Sequence, residues 1–180
     1  TIADLIQYRS ERESLTKRLY TQVVNTFWGE LKMIVYKDLI ENQSHVAFVK
    51  GNNLANQISF VRVHEPATLL DTILKDKSSH SWSFDSAMNY ISGKSCGVVL
   101  LLNCASSSDI FFDNLKQFNN GVKKKEKTIS RTLRNYGLGA AILRDIGIKK
   151  MIVLSEPLKM PSMAGYGLEV MEYLPSKDNF

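Results

Sequence analysis

Arg134-Asn-Tyr-Gly-Leu-Gly-Ala-Ala-Ile-Leu-Arg-Asp-Ile-Gly-Ile-Lys-Lys-Met-Ile-Val-Leu-Ser155 is the stretch that decides the fold. It reads as a loop, a short helix, a glycine stop and a buried strand. Gly137 and Gly139 loosen the backbone ahead of the helix, and Leu138, Ala141, Ile142 and Ile146 then recur at helical spacing to give one apolar stripe. Gly147 stands where a left-handed C-cap is wanted, after Arg144 and Asp145. Met151 to Leu154 form an apolar run too short for a helix, which predicts a buried strand.

The same segment, Arg134 to Gly147, resembles the signature helix of the GTP cyclohydrolase II family, whose members open the imidazole ring of GTP on the riboflavin pathway. The resemblance extends to Val61-Arg-Val-His64, Lys150-Met-Ile-Val-Leu154 and Gly165-Tyr-Gly-Leu-Glu-Val170, in order and at consistent spacing. It implies the family's fold, a mixed α/β (or α+β) domain with a mixed sheet and helices packed on it. It also implies a homodimer; the expected cytoplasmic setting comes instead from the two unpaired cysteines, Cys96 and Cys104.

Working outward toward the N-terminus, Ile58 to Val63 alternates as a strand should, and Glu30 to Lys37 and His45 to Val49 are β-rich around a polar turn, Glu41 to Ser44. Gly51-Asn-Asn53 is a further turn. Strands following one another predict an antiparallel sheet on this side. Ile2, Leu5 and Ile6 suggest a helix over residues 1–20, with Asp4 favouring its first turn. Ile2-Ala-Asp-Leu-Ile-Gln-Tyr-Arg9 is similar to the junction in fused proteins whose first half is 3,4-dihydroxy-2-butanone 4-phosphate synthase. That resemblance implies a linker helix at 1–20, a cyclohydrolase-like domain at 21–180, and an upstream synthase domain as partner in the same chain.

Between the N-terminal strands and the signature stretch, Leu69 to Leu74 suggests a short helix, and Ser83 can N-cap another carrying Phe84, Ala87, Met88 and Ile91, stopped at Gly93. Gly97 to Leu102 is a buried strand, Asn103 to Asp109 a polar loop, and Ile110 to Phe118 a helix. Beyond the signature stretch, the segment ending at Tyr173 reads as a strand alternating Leu168, Val170 and Glu172.

Bulk properties limit the functions available. The 180 residues suit a single domain with a real core, and 44% hydrophobic with 23% charged residues is ordinary for a globular chain. No apolar run reaches the roughly 20 residues that span a bilayer, so no membrane partner is expected. The net charge of +5 is modest. Its densest patch, Lys123-Lys124-Lys125-Glu126-Lys127, has no interleaved aromatics for stacking on bases and reads as a solvated loop, so nucleic acid is not an expected partner. Cys96 and Cys104 flank an extended run that would hold them more than about 20 Å apart, too far for a disulfide, so both should be buried thiols.

Chemistry is hard to find from residue spacing. Gly93-Lys94-Ser95 looks like the end of a phosphate-binding loop, but Met88 stands where that motif needs glycine, and a strand follows instead of a helix. His45, His64 and His80 are scattered and read as surface or locally hydrogen-bonded residues, and no serine lies in a nucleophile-elbow context.

The family comparison sharpens that picture. Active members follow the Val-Arg-Val-His segment with a zinc motif, Cys-x10-Cys-x-Cys, and a gapless count from His64 lands on Ala67, Ser78 and His80, with Asp71 and Leu74 beside the family's Asp and Gly. A catalytic zinc needs three good protein donors and one open position; an alanine, a hydroxyl and one imidazole do not supply them. The family's Gln-Glu-Gly-Arg-Gly-Ile-Gly loop is replaced by Asn103-Cys-Ala-Ser-Ser-Ser-Asp109, which lacks the guanidinium fork suited to phosphate. Thr132 replaces the family's catalytic aspartate, while Arg134, implicated in phosphate chemistry, remains. The family's Thr-Asn-Asn-Pro-Arg-Lys becomes Ser155-Glu-Pro-Leu-Lys159, leaving Ser155 and Lys159 as vestigial substrate-binding positions beside an unhelpful Glu156. The expectation is a catalytically inactive domain without zinc and with doubtful GTP binding, serving a structural, dimerisation or regulatory role for the fused synthase. The alternative is residual GTP-binding or pyrophosphate-releasing activity.

Overall fold

The computed structural model describes residues 16–65, 82–104, 129–157 and 163–176. Among these described residues seven strands, β1 (Thr16–Thr26), β2 (Gly29–Asp38), β3 (Ser44–Lys50), β4 (Ile58–His64), β5 (Gly97–Leu101), β6 (Lys150–Val153) and β7 (Glu169–Tyr173), form one sheet in the order β1-β2-β3-β5-β4-β6-β7. The helices are α1 (Phe84–Ser92), between β4 and β5, and α2 (Ile129–Ile146), between β5 and β6, with short 3-10 turns at Leu54–Asn56 and Met163–Tyr166. The expected mixed α/β architecture is present.

One half of the sheet is antiparallel, from β1 through β2 and β3 to β5; the other half, β5, β4, β6 and β7, is parallel. The expected antiparallel run therefore stops at β3. β4 does not pair with β3, because β5 inserts between them and takes β3 as its antiparallel neighbour. Hydrophobic alternation fixes which face a strand residue occupies but not which strand lies beside it.

Alternation along the strands builds two cores on opposite faces. Val61, Ala47, Val49, Val98 and Leu100 meet Leu138, Ile142 and Leu143 of α2. Val99, Phe48, Phe60 and Leu101 meet Ala87, Met88 and Ile91 of α1. Ser83 caps α1 as its sequence suggests, its hydroxyl oxygen accepting from Ser86 N–H at 3.1 Å, and Gly93 ends the helix. Gly93-Lys94-Ser95 is thus a helix stop, with the Lys94 ammonium over the rings of Tyr90 and Phe60 at 4.4 and 5.0 Å.

The signature stretch corrects one expectation. Gly137 and Gly139 lie inside α2 and not in a loop before it. Glycine costs a helix about 1 kcal/mol against alanine, so something must repay it. At Gly137 a Cβ would stand 2.7 Å from the Tyr166 hydroxyl; at Gly139 it would enter van der Waals range of Val63, Leu102 and Leu100. The missing side chains let the helix approach its neighbours closely. The C-terminal end follows expectation: Gly147 has φ +96, its N–H donates to Arg144 O at 2.9 Å, and Ile148 N–H donates to Leu143 O at 3.1 Å, the Schellman pattern.

A second correction concerns residues 1–20. The expected helix does not include Thr16–Tyr20, which belong to β1 and pair with β2 through a two-residue turn at Phe27–Trp28. The side chains from Thr16 onward include Leu19, Tyr20, Val23 and Val24, residues that favour a strand once β2 offers a partner. Residues 1–15 lie outside the described residues, as do the helices expected at 69–74 and 110–118. Both cysteines are free thiols, but only Cys96 is buried; Cys104 is exposed, because it follows the strand's end after the left-handed Asn103. Among the described residues no helix is long and apolar enough to cross a membrane.

Candidate functional site

In sheets with parallel strands, ligands are taken at the carboxyl ends of those strands. Here that edge is formed by Glu65 after β4, Asn103 after β5 and Ser155 after β6, with the N-terminal part of α2 alongside and the β2–β3 turn beyond it. The polar side chains there bind mainly to one another.

Arg134, on α2, pairs its guanidinium with the carboxylates of Asp38 and Glu41. Asp38 ends β2 and is 1% exposed. Its Oδ1 also accepts from the N–H groups of Ile40 at 2.7 Å and Glu41 at 3.2 Å, closing the turn toward β3. One residue on, Asn135 donates to Glu65 Oε1 at 3.1 Å, and the Asn103 amide donates to the same oxygen at 3.3 Å. The guanidinium of Arg134 is therefore committed to two carboxylates, and an incoming phosphate would have to compete with both.

His45 sits behind this layer, fully buried. Its Nδ1 accepts from the Asn103 backbone N–H at 3.0 Å, which assigns the neutral tautomer with hydrogen on Nε2. Burial lowers its pKa, against a smaller upward pull from Asp38. Nε2 has no hydrogen-bond partner among the described residues. His64 is also buried, at the end of β4. Of the two sequence readings, surface or locally hydrogen-bonded, burial removes the first for both histidines, and His45 meets the second through Asn103.

Ser155 is present at the edge but turned inward on its own chain: it is buried, and its hydroxyl donates to Glu156 O at 2.9 Å. Glu156 is exposed. Lys159, Ala67, Ser78, His80 and the Lys123–Lys127 patch lie outside the described residues, as does the side chain of Thr132. The structure thus brings Arg134 together with Asp38, Glu41 and, through Asn135, Glu65. It does not bring Ser155 into that network.

One buried group went unnoticed in the sequence. Arg62, 6% exposed on β4, donates to Leu154 O and Trp82 O, each at 2.9 Å, and among the described residues has no carboxylate partner. Burial lowers its pKa to about 10. The alternation Val61-Arg62-Val63 placed it on the α1 face, and that signal was available. Its two carbonyl partners were not.

The residues that the gapless count sets at the family's zinc positions, Ala67, Ser78 and His80, do not fit a catalytic zinc as a donor set, since they offer one good ligand where three are required. Among the described residues no group of three or more His, Cys, Asp or Glu side chains is placed to hold a metal.

Comparison with known proteins gives the family. The family model described as GTP cyclohydrolase II matches residues 17–175. A 3,4-dihydroxy-2-butanone 4-phosphate synthase of Neisseria meningitidis serogroup B is 38% identical over 173 residues, covering 96% of this chain and 46% of that protein. Riboflavin biosynthesis protein RibBA of Chlorobium phaeovibrioides is 31% identical, covering 97% and 45% respectively. The crystal structure of RibBX, a two-domain 3,4-dihydroxy-2-butanone 4-phosphate synthase from A. baumannii, aligns with a TM-score of 0.66 at 26% identity, over 98% of this chain and 45% of that one. The chain spans about half the length of these relatives.

Proposed function

The chain belongs to the GTP cyclohydrolase II family, and from that premise we propose that it is a catalytically silent member, fused behind a 3,4-dihydroxy-2-butanone 4-phosphate synthase domain in riboflavin biosynthesis. Its role in this reading is structural or regulatory: to stabilise, pair or modulate that synthase. The observation that carries the reading is the donor set at Ala67, Ser78 and His80. Zinc lowers the pKa of a bound water to about 7 and so makes a nucleophile at neutral pH; no other group in the chain is identified that does so.

The packing of Arg134 supports the same conclusion from another side. In the family that arginine is associated with phosphate chemistry, whereas here Asp38 and Glu41 neutralise it. The same ion pairs weigh against the alternative, a metal-free release of pyrophosphate by Arg134 and Lys159. A guanidinium already facing two carboxylates has little left to stabilise developing negative charge.

The test is turnover of GTP by the purified chain with zinc supplied. Formate and pyrophosphate are expected at the level of the protein-free control. Sustained release that scales with protein concentration would overturn the proposal.

A further inference from the structure

α2 ends before it has covered all of its face of the sheet. Alternation along β2 puts Lys32 on the same face as Ile34 and Tyr36, and the pairing with β3 sets it beside Val49. Gly147 turns the chain away at that level, and the Gly51–Asn53 turn after β3 stands across from it. Between them is an open cleft of about 280 Å³, with Ile34 and Val49 as its floor and Leu54 and Ile146 in its walls. That is near the lower end, about 300 Å³, of the range that small-molecule sites occupy. The cleft lies by the C-terminal end of α2, away from Arg134, Asn135 and Ser155.

Its charges favour an anion. No carboxylate lines it. Asp145, beside it in the chain, already accepts from Arg18 Nε and Nη2 at 3.1 and 2.6 Å and from the Tyr36 hydroxyl at 2.7 Å. Among the described residues the Lys32 ammonium has no partner and Arg18 Nη1 makes no hydrogen bond, and both residues line the cleft. A helix C-terminus ordinarily repels anions through its open carbonyls. Here the oxygens of Leu143, Arg144 and Asp145 accept from Ile148 N–H, Gly147 N–H and Arg18 Nη2. On the facing wall, the backbone N–H groups of Asn52 and Asn53 have no acceptor among the described residues. Gly51 at φ +83 and Asn53 at φ +57 give this turn the alternating geometry in which successive N–H groups face one anion.

We propose that this cleft binds a small phosphomonoester. Its phosphate lies against Lys32, Arg18 Nη1 and the turn's N–H groups, and its carbon chain lies on Ile34, Val49, Leu54 and Ile146. Such a site gives the regulatory role proposed above a class of ligand. Being remote from Arg134, it does not depend on whether the domain turns over GTP.

Titration of the purified chain with butyl phosphate, followed by amide nuclear magnetic resonance at about 0.15 M salt, tests it. The amides of Asn52 and Asn53 should shift and saturate. Lys32→Glu should weaken binding by about tenfold or more, the loss of one charge-assisted contact, with unchanged far-ultraviolet circular dichroism. Lys17→Glu makes the same charge change next to Arg18 but outside the cleft, and should leave binding within about twofold at that screening. Inorganic phosphate should bind more weakly than butyl phosphate, because it covers none of the apolar floor. No saturating shift at Asn52 and Asn53 by about 10 mM butyl phosphate, or equal weakening by the two substitutions, would overturn the proposal. Inorganic phosphate bound as tightly as butyl phosphate would overturn the place given to the carbon chain.

Discussion

The two ends of α2 are built by different rules. Its C-terminal half is packing: Leu138, Ile142 and Leu143 are at most 2% exposed, and Gly147 closes the last turn in a left-handed conformation. Toward its N-terminal end it is charge and hydrogen bonding, with Arg134 on Asp38 and Glu41, and Asn135 on Glu65. The apolar half keeps the position that the sheet requires. The polar half has partners within the chain where a nucleotide-binding member of the family would offer groups to substrate. In the proposed silent reading, the domain keeps the packing that defines its family while its polar edge serves internal structure.

The contrast can be broken most severely in the apolar half. Ile142→Ala leaves a cavity at a fully buried site and should cost about 2 to 5 kcal/mol in urea unfolding. A loss below about 1 kcal/mol would mean that the core there can collapse freely, and that packing is not what fixes the helix. Next is Asp38→Ala, which removes the buried partner of Arg134 and the acceptor for two backbone N–H groups. It should cost about 2 to 3 kcal/mol, less than a fully buried pair because Arg134 retains Glu41 and some access to water.

The pH dependence sharpens the comparison further. His45 has a folded-state pKa below its unfolded value, because burial disfavours the imidazolium more than Asp38 favours it. The unfolded chain therefore binds the proton first, and stability should fall as pH drops through about 6.5. His45→Gln, keeping an acceptor for Asn103, should flatten that part of the profile in unfolding titrations at pH 8 to 5.5. An unchanged slope would assign it to another group. The smallest effect belongs to Glu41→Gln: its carboxylate is half exposed, and stability should change by less than about 1 kcal/mol.

Local pattern revealed much of this fold. β2, β3, β4, β5, β6 and the capped α1 follow from alternation, apolar runs and Ser83, and Gly147 ends α2 where its position indicated. The failures are those in which a distant contact outweighs a local preference. Gly137 and Gly139 argue for a loop until Tyr166 and Val63 are known to press against them. β1 hid because its turn, Phe27–Trp28, carries no Asn-Gly signal, and because its charged start suited a helix.

The candidate site was legible in a more limited way. The family resemblance singled out Arg134, Ser155 and Lys159. It could not reveal that Arg134 meets Asp38, 96 positions earlier in the chain, or that Ser155 turns to its neighbour's carbonyl. Hydrogen-bond partners at that separation depend on strand order, and strand order was the feature that periodicity left open.

The most direct test of the central claim is zinc content. The purified chain, equilibrated with equimolar zinc and then desalted, should retain far less than one metal per chain by elemental analysis. Stoichiometric zinc that survives desalting and is lost on replacing His80 would contradict the account.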